Sequence, residues 1–118
     1  EFVKSHKDLI VYQKSLELVE QIYLLSTKFP ESEKFGLTSQ IRCASISIPS
    51  NIAEGAGRKH KKEFIQFLYI ALGFLNEIET QFEIAKRLRY MERIHSDDDI
   101  LYIKRMLLKL IQKIEANE

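Results

Sequence analysis

The chain has 118 residues, 45% hydrophobic and 30% charged, with 18 Lys and Arg against 17 Asp and Glu for a formal net charge of +1. That length suits a single domain over residues 1–118 with a core of its own. The balanced charge excludes a uniformly basic nucleic-acid coat but leaves room for a local patch.

Cys43 is the only cysteine, which excludes an intrachain disulfide. It is expected as a buried thiol in a reducing compartment. No apolar run reaches the roughly 20 residues that cross a bilayer. EFVKSHKDLIVYQ at the N-terminus lacks the apolar region of a signal peptide. A cytoplasmic location is the expectation.

Four helices are predicted in chain order. From Leu9 to Thr27, one apolar stripe runs Leu9, Tyr12, Leu16, Val19 and Tyr23, and a neighbouring one Val11, Leu18, Ile22, Leu25 and Phe29. Spacings of three and four describe a helix with a broad buried face. Asp8 is its expected cap, and Phe29-Pro30 forces the exit.

The second helix opens near Leu37-Thr38 and carries Ile41, Ala44, Ile48 and Ile52 inward, with Gly55 or Gly57 expected to end it in a left-handed conformation. Pro49 lacks an amide hydrogen and meets the carbonyl of Ser45, so a kink is expected. Ser45, Ser47 and Ser50 are expected to satisfy the backbone groups it frees. Asn51 and Glu54 flank the stripe, where a partly buried polar network with Gln40, Glu77 or an Arg is expected.

The third helix spans Lys61 to Leu88, with an inner stripe of Phe64, Phe67 or Leu68, Ala71, Leu75, Ile78, Phe82 and Ala85. The fourth follows a capping-box-like Ser96-x-x-Asp99 and carries Ile100, Ile103, Leu107, Leu110, Ile111 and Ile114. No segment alternates as a strand does. The expected fold is all-α, an antiparallel up-down four-helix bundle. FIQFLYIALGFL (64–75) and the second stripes of the first and last helices exceed what one core needs. They point to a cyclic homo-oligomer.

Catalytic and cofactor chemistry finds little support. Gly55-Ala56-Gly57 lacks the Lys-Ser/Thr pair of a phosphate loop. Glu92-Arg93-Ile94-His95 is the single Glu-x-x-His sequence, where a di-iron bundle needs two plus further carboxylates. A noncatalytic protein without metal or cofactor is expected.

The run Arg58-Lys59-His60-Lys61-Lys62 is more informative. In an up-down bundle it shares one end with both termini, so Lys4, Lys7, Lys109 and Lys113 would join it in a basic rim. Asp8, Glu54, Glu63, Glu115 and Glu118 dilute that field. Repetition around a ring would strengthen it toward a phosphate backbone. Lys86, Arg87, Arg89 and Arg93 belong to the other end as ordinary surface charge near Asp97-Asp98-Asp99.

DLIVYQKS (8–15), FPESEKFGLTSQIRCASISIPSNIAEGAGR (29–58) and EFIQFLYIALGFLNEIETQFEIA (63–85) resemble the four-helix bundle proteins of the 23S rRNA intervening-sequence family, also labelled S23 ribosomal protein. The specific match is QIRxAxxSIPxNIAEG, which here places Gln40, Arg42, Pro49, Asn51, Glu54 and Gly55 as structural motif positions. His6, Tyr12, Ser15 and Phe74 depart from residues common in the family. The resemblance implies an up-down bundle, a homopentamer, a link to 23S rRNA genes, and kinship with a nucleic-acid-associated accessory protein of diversity-generating retroelements. It implies no catalytic position. The expected function is RNA or DNA binding through the rim. The competing expectation is a protein-interaction scaffold that uses the apolar faces.

Overall fold

The computed structural model describes residues 5–92 and 96–117, the side chains of Asp8 and Ser96 excepted. Helix α1 spans Ile10–Ser26, α2 Leu37–Ala56, α3 Lys61–Arg87 and α4 Ser96–Ala116, and no strand occurs among the described residues. Helix α1 packs against α2 and α4, and α3 packs against the same two. The extents of 47 × 22 × 19 Å fit a 27-residue α3 that is about 40 Å long at 1.5 Å per residue.

In α1 the core takes Val11, Leu18 and Ile22, with Phe29 buried beyond the helix end. The stripe of Leu9, Tyr12, Leu16, Val19 and Tyr23 stays partly exposed or exposed. Both stripes have helical spacing, so period alone does not choose between them. The serines in the buried stripe permit its burial. Ser15 and Ser26 lie on the Leu18 side and are fully or almost fully buried. Ser15 Oγ donates to the Tyr12 carbonyl at 2.7 Å and Ser26 Oγ to that of Tyr23 at 3.3 Å. Hydroxyls satisfied within their own helix bury at little cost.

The α1 cap position falls to Leu9, which makes no side-chain cap bond, after a 3-10 turn at His6–Asp8. Asp8 is therefore one residue too early for the expected cap, and its side chain lies outside the described atoms. The Ser96 half of the expected capping box also lies outside them. Asp97, Asp98 and Asp99 occupy the first turn of α4, where acidic charge complements the helix dipole.

Helix α2 runs unbroken through the buried Pro49. Ser45 Oγ donates to the Arg42 carbonyl at 2.8 Å, Ser47 Oγ to that of Cys43 at 2.9 Å, and Asn51 Nδ2 to that of Ser47 at 2.7 Å. The serines thus bind carbonyls upstream of Ser45, the residue that loses its donor to Pro49. Ser50 is exposed.

Gly55 does not end the helix in a left-handed turn. No described glycine has positive φ, and Gly57 at the C-cap is right-handed at φ −85°. Gly55 is buried inside α2, where an added Cβ would stand 2.7 Å from Phe67 Cβ and 3.0 Å from Phe64 Cδ1. It is the residue that lets α2 and α3 approach. Among the described residues the left-handed one is Arg89, at φ 64° after α3. Arg89 N–H donates to the Lys86 carbonyl at 3.0 Å and Tyr90 N–H to that of Ala85 at 2.8 Å, a Schellman ending with arginine in the usual glycine place.

The inner stripes of α2, α3 and α4 match expectation. Ile41, Ala44, Ile48 and Ile52 are buried in α2, and Phe64, Leu68, Ala71, Leu75, Ile78, Phe82 and Ala85 in α3. In α4, Ile100, Ile103, Leu107, Ile111 and Ile114 are buried and Leu110 packs against them. Gln81 joins the buried face of α3, its Nε2 donating to Glu77 Oε2 at 3.1 Å.

Cys43 is exposed, contrary to the expected buried thiol. Ile41, Ala44 and Ile48 set the inward direction of α2, and position 43 turns away from it at 100° per residue.

Candidate nucleic-acid interface

The basic run lies where α2 turns into α3. Gly57 N–H still donates to the Ala53 carbonyl, and Arg58 N–H to that of Gly55 at 3.0 Å. His60 is the N-cap of α3, with extended backbone and no side-chain cap bond. Its carbonyl accepts from Glu63 and Phe64 N–H, each at 3.1 Å. Arg58, Lys59, His60 and Lys62 are exposed, and Lys61 is half-buried.

The run divides by what each side chain holds. Arg58 Nη2 pairs with Glu54 Oε2 at 2.7 Å, and its guanidinium lies 4.8 Å from the centre of the Phe67 ring. Lys61 Nζ donates to the Asn117 carbonyl at 2.7 Å, tying the start of α3 to the end of α4. Those two cations are engaged. Among the described residues, Lys59 and Lys62 make no hydrogen bond or ion pair.

The Lys61 tie also brings the turn toward the end of α4 that carries Lys113. Lys109 lies one turn further back, and both are exposed without an ion pair among the described residues. Lys7 is exposed in the 3-10 turn, which packs against α1 and α2. Lys4 lies outside the described residues, as do residues 93–95 of the Glu-x-x-His sequence.

Of the partly buried polar network expected around Asn51 and Glu54, the arginine partner forms, on the exposed side, and the Gln40 and Glu77 contacts do not. Glu54 is exposed and faces Arg58, Asn51 binds its own helix, Gln40 is exposed, and Glu77 pairs with Gln81. The Glu54–Arg58 spacing of four, acid first, was a readable signal for that pair. Arg42 reaches α1 instead: its Nε donates to Ser26 Oγ at 2.7 Å and its guanidinium sits 4.7 Å from the Tyr23 ring centre. At the other end, Lys86 pairs with Asp97 at 2.8 Å and Arg87 with Glu83 at 3.2 Å. Among the described residues no His, Cys, Asp and Glu side chains cluster in a way that would hold a metal.

A second surface is apolar. Tyr12, Leu16 and Val19 of α1 and Ile46, Pro49 and Ala53 of α2 line an open groove. On the other two helices, Tyr69, Leu101 and Leu108 are exposed.

Residues 7–113 match the family described as 23S rRNA-intervening sequence protein. The chain belongs to that family. The match takes in the motif from Gln40 to Gly55 and every rim residue except Lys4. Among solved structures, the family member is similar to a protein with unknown function from the S23 ribosomal protein family of Bacteroides thetaiotaomicron. The two are 32% identical, the likeness covers 90% of this chain and 98% of that one, and the TM-score is 0.79. No curated protein matches the chain. Among the described residues no helix is long and apolar enough to cross a membrane.

Proposed function

We propose that this family member is a noncatalytic cytoplasmic homo-oligomer of antiparallel up-down bundles that binds the phosphate backbone of RNA or DNA through a repeated basic rim. The observation that carries the reading is the exposed turn between α2 and α3, where Lys59 and Lys62 stand unpaired among the described residues. Arg58 and Lys61 tie that turn to Glu54 and to Asn117. Phosphate contacts of this kind position a nucleic acid without reading its bases.

Several ties support alternating helix directions. The start of α3 meets the end of α4 through Lys61 and Asn117. The end of α3 meets the start of α4 through Lys86 and Asp97. Arg42, near the start of α2, meets Ser26 at the end of α1. That alternation gathers Lys7, Lys109 and Lys113 toward the same end as Lys59 and Lys62.

Assembly is supported by two unlike apolar surfaces, the α1–α2 groove and the exposed Tyr69, Leu101 and Leu108 of α3 and α4. Two unlike surfaces that bind each other form a head-to-tail contact, which closes into a ring when its rotation allows. Five subunits is the number the family resemblance implies.

The test is a titration of structured rRNA and of duplex DNA with the protein and with a Lys59→Ala/Lys62→Ala variant. The variant should keep its helical content and oligomeric mass and lose most of its affinity. Equal affinity of the two proteins would remove the rim as the binding site. A protein partner recovered after nuclease treatment, with no nucleic acid bound, would favour the scaffold reading.

A further inference from the structure

The end of α2 away from the basic turn holds a carboxylate shared by two connections that are 57 residues apart in sequence. Glu33 Oε1 accepts the N–H of Leu37, the first residue of α2, at 3.0 Å, and Glu33 Oε2 accepts the Tyr90 hydroxyl at 2.8 Å. Gly36 makes room for the arrangement, since a Cβ there would stand 2.6 Å from Glu33 Oε1. Tyr90 is fixed from two further directions. Its N–H closes the Schellman ending on the Ala85 carbonyl, and its ring centre lies 5.8 Å from that of the buried Phe29.

We propose that Glu33 and Tyr90 form a clasp, a conformational device that couples the first turn of α2 to the connection after α3 and keeps Phe29 and Met91 buried. Each carboxylate oxygen serves a different segment, so removing Glu33 releases both at once. Removing the Tyr90 hydroxyl frees the later segment directly and loosens the earlier one through the carboxylate. The clasp stands about 30 Å from the basic turn, the length of the 20-residue α2 at 1.5 Å per residue.

Amide hydrogen exchange of the full-length protein, Glu33→Ala, Tyr90→Phe and the double variant tests the device. Glu33→Ala should accelerate exchange over both 37–40 and 88–91, and Tyr90→Phe should do so in both windows to a smaller extent. The double variant should exchange no faster than Glu33→Ala. Acceleration confined to the window nearest each substitution, or additive effects in the double variant, would overturn the proposal. Tyr90→Phe keeps the ring on Phe29 and removes one hydroxyl, so it decides the matter even if Glu33→Ala does not fold.

Discussion

Gly73 sits on the open side of α3, where an added Cβ would meet nothing within 4 Å, whereas at Gly55 it would press on Phe67 and Phe64. Gly73→Ala should therefore stabilise by about 0.5–1 kcal/mol through lower backbone entropy in the unfolded chain. Gly55→Ala should destabilise by about 1–3 kcal/mol through overpacking, and urea unfolding reads both signs. The sequence could not separate these two glycines, because what differs is the neighbour across the helix pair. Arg89 hid its role for a related reason: an arginine in the left-handed region carries no mark in the sequence. Arg89→Gly should raise stability by roughly 1 kcal/mol, measured the same way.

Glu33 and Tyr90 add a pH dependence of definite sign. The Leu37 N–H, then the Tyr90 hydroxyl, favour the ionised carboxylate and hold Glu33 below its ordinary 4.5, with burial opposing. A depressed folded value means that its stabilisation is complete above the unfolded pKa and lost as pH falls through the folded one. The bond to Glu33, then burial and the carboxylate charge, push Tyr90 above 10.0. Its contribution is complete below 10.0 and lost as pH rises through the folded value. The stability difference between the protein and Glu33→Ala should hold steady near neutral pH and shrink below 4.5. A difference that persists unchanged through strong acid would contradict the linkage.

At the scale of helices, the inner stripes of α2, α3 and α4 were legible even though α3 and α4 carry further apolar residues outside them. Helix α1 offered two, and burial went to the stripe that contains Ser15 and Ser26. A polar residue inside a stripe argues against burial only until its hydrogen bond is known, and both hydroxyls bond to their own helix. Leu18→Ala should cost about 2–5 kcal/mol, as for a filled core site. Leu16→Ala, at the groove, should leave subunit folding within about 0.5 kcal/mol and weaken assembly instead. Circular dichroism melts and light scattering separate the two effects. The basic run was legible as a run, and the spacing of four announced the Glu54–Arg58 pair within it, but the tie of Lys61 to the end of α4 was not. That tie depends on tertiary placement across 56 residues, and it leaves Lys59 and Lys62 as the exposed cations without a partner among the described residues.

For the whole molecule, a net charge of +1 gives a single subunit only a weak pull on a polyanion, so the proposed binding depends on assembly to repeat the rim. Ile46→Asp places a charge in the α1–α2 groove without touching a rim residue, and it should lower the mass seen by light scattering from several chains to one. The most direct measurement is the affinity for duplex DNA over a range of salt concentrations, made on the native protein and on Ile46→Asp. Each phosphate contact contributes about 0.9 to the slope of log affinity against log salt. The native protein should show a steep slope, and the variant a shallower slope with weaker binding. Equal slopes for assembled and dissociated protein, or an affinity indifferent to salt, would contradict a rim multiplied by symmetry.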